Sequence, residues 1–525
     1  MRLAPFVTRL AATGMVCAID HLASEAGVAM LRAGGDAADA AVAAGAVLAV
    51  TSQHQCGVGG DLFALVHEGA GPPAALNASG RAGSGADPDR LRAEGHRQMP
   101  QAGDIRSAPV PGCVDGWVAI NERYGRLPLR EVLGPAQRYA SEGFAMTATQ
   151  AGIAGTVADL PGGEAYAAAL AAGGLLRQPG LARLLREIAE GGRAAFYEGE
   201  FGRGLLELGA GEYTADDLRR SQADWVDPLS VDAWGHRLWT VPPNSQGYLT
   251  LAASWIAAGL DLPHDPQDPA WAHLTIEAAR QAAYDRIAVL HEGADGHALL
   301  SPDRLAPRQA AIDPGRAAPL GVPARAGDTV FLCAVDDRRM GVSLIQSHGG
   351  SFGTRLAVPG MGVFVHRRGI GFSLAPGHPA EYGPGRRPPH TLSPALVTTP
   401  EDRLAAVVGT MGGDSQPQVV LQLLVRLLHA QQSPAEAIAA GRWSLSAGES
   451  GLAFDTWDRG GDVNVIVEGH APAGWDRGLA ARGHRVVRLG DFAHDFGHAQ
   501  VITVREDHLA GASDPRALDG AASGW

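Results

Sequence analysis

The stretch AGDTVFLCAV, residues 326–335, decides how this chain is read. Small, flexible residues run into a threonine, and a run of β-formers follows at once. Thr329 is either the first residue of a buried strand or the point where the chain is cut and where chemistry occurs. Taken alone it favours the first reading, because threonine is a good strand former and commonly opens a strand after a glycine loop.

The flanks sharpen the choice. Upstream, residues 302–328 read PDRLAPRQAAIDPGRAAPLGVPARAGD, with five prolines and no helical period. This is the pattern of an exposed connecting segment. Downstream, TVFLCAVD and MGVSLIQS read as two adjacent strands joined by the polar turn DDRR. Further strands are expected at GVFVH, SPALVTT, RLAAVVG, DVNVIVEG, HRVVRLG and HAQVITVRE, and a helix at SQPQVVLQLLVRLLHA. Nearer the start, HLASEAGVAMLRAGG reads as a helix from about Ser24 to Gly34-Gly35. DAADAAVAAGAVLAV follows as a helix of small residues suited to tight packing. QHQCGVGGDLFALVHEG reads as a glycine turn into a strand, and residues 178–222 and 273–291 read as mostly helical. Segregated α and β stretches imply layered sheets covered by helices.

Bulk composition excludes several functions. The chain has 525 residues, 46% of them hydrophobic, enough for three or four domains or one large layered domain. The net charge of −13, from 43 basic and 56 acidic residues, argues against nucleic acid or an anionic membrane as partner. Every basic residue is an arginine. A lysine Schiff base, a P-loop lysine and a Ser–Lys pair are therefore excluded. Cys17, Cys56, Cys113 and Cys333 are widely spaced and read as small buried hydrophobes. The first residues lack a signal-peptide core. The most apolar helical stretch, 37–50, contains Asp39 and is too short to span a bilayer. A cytoplasmic protein without membrane partners is expected.

Three short motifs each admit a simpler reading. HGGSFG, 348–353, contains G-x-S-x-G at Gly349, Ser351 and Gly353, but the following TRLAVPGMGVF cannot form the helix of a nucleophile elbow. His494 and His498 stand four apart, yet Gly497 and the β-run AQVITV place them in a loop entering a strand, so no metal is expected. GTMGGDSQPQ, 409–418, lies between a strand and a helix. The amides of Gly412 and Gly413 near a helix start could hold a negatively charged oxygen, or the segment could be a plain turn.

Read together and in order, these pieces resemble the γ-glutamyltransferase (γ-glutamyltranspeptidase) family of N-terminal-nucleophile hydrolases. The blocks that carry the resemblance are GMVCAIDHLASEAGVAMLRAGGDAADAAVA, QCGVGGDLFALVH, PVPGCVDGWVAINERYGRLPLREVLGPAQRYASEGF, YTADDLRRSQADWVDPLS, EAARQAAYDR, the strand pair from Thr329, RRPPHTLSPALV and GTMGGDSQPQVVLQ. The resemblance implies an α+β fold, a four-layer αββα sandwich. It implies a precursor that cuts itself between Asp328 and Thr329 into a large fragment, 1–328, and a small one, 329–525. Together they would form one structural domain and a heterodimer of the chain's own fragments, with a further dimer of these left open. It also implies a small-molecule amide substrate and no cofactor. Thr329 would be the nucleophile and its freed α-amine the base, an amine whose ordinary pKa of about 7.7–8.0 leaves a useful neutral fraction near neutral pH. Gly412 and Gly413 match the family's oxyanion-hole glycines, and Ser347 matches a supporting hydroxyl.

Departures from the family bear on the substrate. The threonine that usually follows the nucleophile is Val330. The family's asparagine after the supporting hydroxyl is Gly349. Ser79 falls where an arginine holds the substrate carboxylate, with Arg81 two residues late, and His390 and Thr391 match a serine pair. Arg368 replaces a glutamine and Gly371 an aspartate that hold the substrate's α-ammonium. A guanidinium in place of those groups favours a carboxylate and disfavours an ammonium. The expected acyl group therefore carries a carboxylate and need not carry an α-amine; of the candidate γ-glutamyl, glutaryl and oxamate-like amides, the last two fit better. An uncleaved, inactive relative serving as a binding or structural protein is the alternative.

Overall fold

Thr329 enters a strand whose side chains alternate between two cores. The computed structural model describes residues 6–319, 329–447 and 463–525. Asp328, and most of the stretch just before it, lies outside the described residues. Fourteen strands build the two main sheets. In chain order they are β1 (Arg9–Ala11), β2 (Met15–Ala18), β3 (Asp61–His67), β4 (Ala74–Ala78), β5 (Asp224–Val226), β6 (Leu229–Ala233) and β7 (His236–Thr240). They continue as β8 (Val330–Val335), β9 (Gly341–Ser347), β10 (Ala395–Thr398), β11 (Leu404–Thr410), β12 (Ala499–Val504), β13 (Leu509–Ser513) and β14 (Ala521–Gly524). One sheet has the order β14-β2-β8-β9-β3-β4-β5, the other β1-β13-β12-β11-β10-β7-β6. Helices α1 (His21–Arg32) and α2 (Ala37–Thr51) cover the first sheet. Helices α3 (Tyr248–Ala258), α4 (Pro269–Ala283), α5 (Pro302–Ala310) and α6 (Gln416–Leu424) belong with the second.

The two-residue period of β8 sorts its side chains between layers. Phe331, Cys333 and Val335 join Phe63, Ile345, Leu396, Val407 and Ile502 in the core between the sheets. Val330, Leu332 and Ala334 face the opposite way, onto the core shared with α2. β10, β11 and β12 do the same in the second sheet, where Val397, Val408 and Val501 pack with Tyr248, Trp271 and Val420. Apolar residues on both faces of both sheets give four layers, the αββα sandwich implied by the resemblance. All fifteen residues of α2 are buried, and their small size permits the close approach. The four cysteines are buried and unbridged.

Local differences from the sequence reading have physical causes. α1 begins at His21 because the Asp20 carboxylate accepts from Leu22 N across 2.9 Å, a strong N-cap. The segment 302–328 is not wholly without helix. α5 occupies its first part, with Pro302 at the favoured first position and Pro307 inside. Tertiary contacts hold this helix: Leu305 is buried, Arg308 donates to Gln281 O at 2.8 Å, and Gln309 donates to Ile256 O at 2.8 Å. The chain also ends with two strands, β13 and β14, whose Ala- and Gly-rich sequences carry little strand signal.

Candidate active site

β8 and β9 form an antiparallel pair with Val330 opposite Gln346, so Thr329 and Ser347 meet at the open end of the pair. Both side chains are buried, and their hydroxyl oxygens are 3.1 Å apart. Ser347 Oγ also receives Gly349 N–H at 2.8 Å and Arg368 Nη2 at 3.1 Å. Arg368 Nη1 donates to Thr391 Oγ1 at 3.0 Å. One guanidinium thus bridges the hydroxyl beside Thr329 and a hydroxyl on the strand-leading segment before β10. Gly349 has φ +75, and a Cβ there would lie 3.4 Å from the Arg368 guanidinium carbon. Burial lowers the Arg368 pKa to about 10, so it remains a cation at neutral pH.

The turn between β11 and α6 carries Gly412 and Gly413 at φ +135 and +55, backbone that side chains rarely adopt. Neither amide donates to an acceptor among the described residues. Two residues preceding Thr329 hold this turn. Gln246 Nε2 donates to Gly413 O at 2.9 Å and to Thr391 O at 3.0 Å, tying the two segments together. Arg286 Nη2 lies 3.2 Å from Asp414 Oδ1, with both side chains buried. Burial pushes the Asp414 pKa up to about 7, against the pull of Arg286 and Arg368. Gly371 packs so closely that a Cβ would lie 2.4 Å from Pro389 O.

His390 and Arg81 face elsewhere. His390 Nε2 lies 3.0 Å from Asp61 Oδ2, and His390 Nδ1 accepts from Leu392 N at 3.2 Å. His366 Nδ1 is 3.3 Å from the same Asp61 oxygen, and Gly80 N donates to Oδ1 at 2.9 Å. His390 therefore anchors the chain beside Thr391, and burial lowers its pKa to about 3. The Arg81 guanidinium pairs with Glu292 and, at 2.8 Å, with Asp224, rather than with any residue of the Thr329 cluster. The HGGSFG segment forms turns after β9, and His494 and His498 lie in and just after a short 3-10 turn leading into β12.

Sequence reasoning missed Asp61, His366, Gln246, Arg286 and Asp414. The only signal was an acid set directly beside a glycine pair, in GVGGDLF and in GTMGGDS. Among the described residues, one group of three, His273, Glu277 and His484, has ligand atoms within 4.8 Å of one another. Its atoms already have partners: His273 meets His484 and Asp313 O at 2.8 Å each, and Glu277 receives Arg280 and Ala318 N. It reads as a hydrogen-bonded clasp on residues 313–318, and none of these contacts reaches the Thr329 cluster.

Two stacked antiparallel sheets between helix layers are the fold of the N-terminal-nucleophile hydrolases. The chain belongs to the gamma-glutamyltranspeptidase family, whose model matches residues 23–525. It is 36% identical to the oxamate amidohydrolase proenzyme of Klebsiella pneumoniae over 98% of both chains. It is 34% identical to the glutathione hydrolase-like YwrD proenzyme of Bacillus subtilis over 97% of this chain and 98% of that one. The fold superposes on the cephalosporin acylase of Bacillus halodurans with a TM-score of 0.89 and 31% identity, covering 99% of this chain and 97% of that one. The protein is accordingly an amidohydrolase or acyltransferase of this class. Among the described residues, no helix is long and apolar enough to cross a membrane.

Proposed function

We propose that the chain cuts itself between Asp328 and Thr329, and that the freed threonine hydrolyses amides of a short, carboxylate-bearing acyl group, with oxamate-like amides foremost. The observation that carries this reading is the row Thr329 Oγ1, Ser347 Oγ, Arg368. Two successive 3.1 Å contacts keep Arg368 Nη2 within about 6 Å of the nucleophilic oxygen. A carboxylate bonded directly to the reacting carbonyl can span that gap without a longer carbon chain. The relative named for oxamate hydrolysis supports the same acyl group.

The freed α-amine of Thr329 takes the hydroxyl proton as Oγ1 attacks the amide carbonyl. Negative charge on the former carbonyl oxygen turns toward the amides of Gly412 and Gly413, which can supply a few kcal/mol of transition-state stabilisation. The C–N bond breaks, the proton passes to the leaving nitrogen, and an ester remains on Thr329. Water, or an acceptor amine, then attacks the ester and releases the acid or a new amide. Arg368 grips the acyl carboxylate, and Arg286 keeps the charge of Asp414 balanced beside the oxyanion turn.

A denaturing gel with N-terminal sequencing tests the cut. A smaller band beginning Thr-Val-Phe-Leu is expected. A single full-length band from protein without activity would favour the uncleaved, inactive alternative. Rates on oxalyl, glutaryl and γ-glutamyl amides, measured side by side, test the acyl group. A wide margin for γ-glutamyl amides that survives Arg368→Ala would overturn the assignment.

A further inference from the structure

The two glycine amides of the oxyanion turn are each set by a neighbouring hydroxyl. In a trans peptide the C=O of one residue and the N–H of the next point in opposite directions. Fixing the carbonyl therefore fixes the amide that follows it. The Gly412 N–H shares its peptide with the Met411 carbonyl, to which Thr410 Oγ1 donates across 2.8 Å. The Gly413 N–H shares its peptide with the Gly412 carbonyl, to which Ser415 Oγ donates across 2.7 Å and Ser415 N across 3.0 Å. Thr410 and Ser415 are both buried.

The surroundings are shaped around these two hydroxyls. A Cβ at Gly497 would lie 2.5 Å from Thr410 Oγ1, and a Cβ at Gly412 would lie 2.6 Å from Ser415 Oγ. Thr410 closes β11, where Ala499 on β12 pairs with it, so its backbone is held by the sheet. Ser415 ends the short turn that leads into α6. One hydroxyl is thus anchored by a strand and the other by a helix start, on either side of the glycine pair.

We infer that Thr410 and Ser415 are positioning residues that orient and polarise the two oxyanion amides. The inference rests on the reading of Gly412 and Gly413 given above. A carbonyl that accepts a hydrogen bond makes the N–H of its own peptide a better donor. Neither hydroxyl is assigned a contact with substrate. Their effect falls on the transition state, where the oxygen acquires its charge, so it shows in kcat and not in KM.

The experiment compares Thr410→Val, Ser415→Ala, Thr410→Ser and Thr329→Ala with the unaltered protein. Each is assayed on the fastest-cleaved amide of the oxalyl, glutaryl and γ-glutamyl series. Thermal unfolding reports folding; rates of the Thr410 and Ser415 variants are normalised to the fraction of chains beginning at Thr329, and that of Thr329→Ala to total folded protein. Thr410→Val and Ser415→Ala should each lower kcat about tenfold, less than the loss of a whole oxyanion donor, with KM changed by less than about twofold. Thr410→Ser should recover most of the rate. If both variants keep kcat within about twofold, or lose only KM or folded protein, the inference falls. If Thr329→Ala is itself active, the nucleophile reading falls. An inactive Thr329→Ala beside fully active Thr410→Val and Ser415→Ala overturns this inference alone.

Discussion

Thr329 Oγ1 and Ser347 Oγ stand 3.1 Å apart across the open end of the β8–β9 pair, and the antiparallel register puts them there. Ser347 thus links the residue opening β8 to the Arg368 guanidinium. Ser347→Ala should lower kcat/KM about tenfold to hundredfold, since it removes a hydroxyl neighbour of Thr329 and one bond of a buried cation. Ser347→Thr, which keeps the hydroxyl, should retain most of the rate. Steady-state kinetics on the cleaved protein check both.

Arg368 bonds two hydroxyls from separate segments, Ser347 and Thr391. Arg368→Ala should lower kcat/KM about hundredfold for an acyl group bearing a carboxylate, and far less for a neutral acyl group of the same length. Arg368→Lys should recover only part of the difference, because a single ammonium cannot reproduce the planar fork. Competition between paired charged and neutral amides reads this selectivity directly.

Gly371→Asp would install the acid that the family resemblance implies at this position. The Cβ would lie 2.4 Å from Pro389 O, a backbone atom that cannot swing aside. The variant should lose stability, by about 1–3 kcal/mol for overpacking of this kind, without gaining preference for γ-glutamyl amides. A thermal melt and the amide series measure the two effects separately.

Asp414 gives the pH dependence a sign. Burial raises its pKa from the usual carboxylate value to about 7 in the folded protein. Between about pH 4 and pH 7 the folded chain holds a proton that the unfolded chain has released. Stability from this group is therefore greatest below that window, falls as pH rises through it, and is level above it. Asp414→Asn copies the protonated form. The variant's melting temperature should match that of the unaltered protein near pH 4, exceed it increasingly up to about pH 7 and keep a constant lead above that. Equal slopes in both proteins would show that Asp414 is ionised throughout.

Much of this protein was legible one residue after another. The β-former runs of β8 and β9, the all-small α2 and the strand–glycine–helix run at 404–424 each express a local propensity, so the layers could be anticipated. α5 was hidden because its prolines outweigh a weak stripe, and long-range contacts with α3, the end of α4 and Asp285 hold it in place.

The sequence by itself determined the segregated helix and strand runs and the place of Thr329 at the head of a strand, because periodicity and turn chemistry are local, and the ordered family blocks carried the resemblance that implied the αββα layering. Only the tertiary structure decided which polar side chains meet. Asp61 and His390 are 329 residues apart in the chain, and Gln246 and Gly413 are 167 apart. It likewise assigned Arg81 to Asp224 and Glu292 while turning Arg368 toward Ser347. The physical reason is that a side chain's partner depends on the direction its backbone gives it and on what long-range packing brings alongside, and neither quantity is written in neighbouring residues.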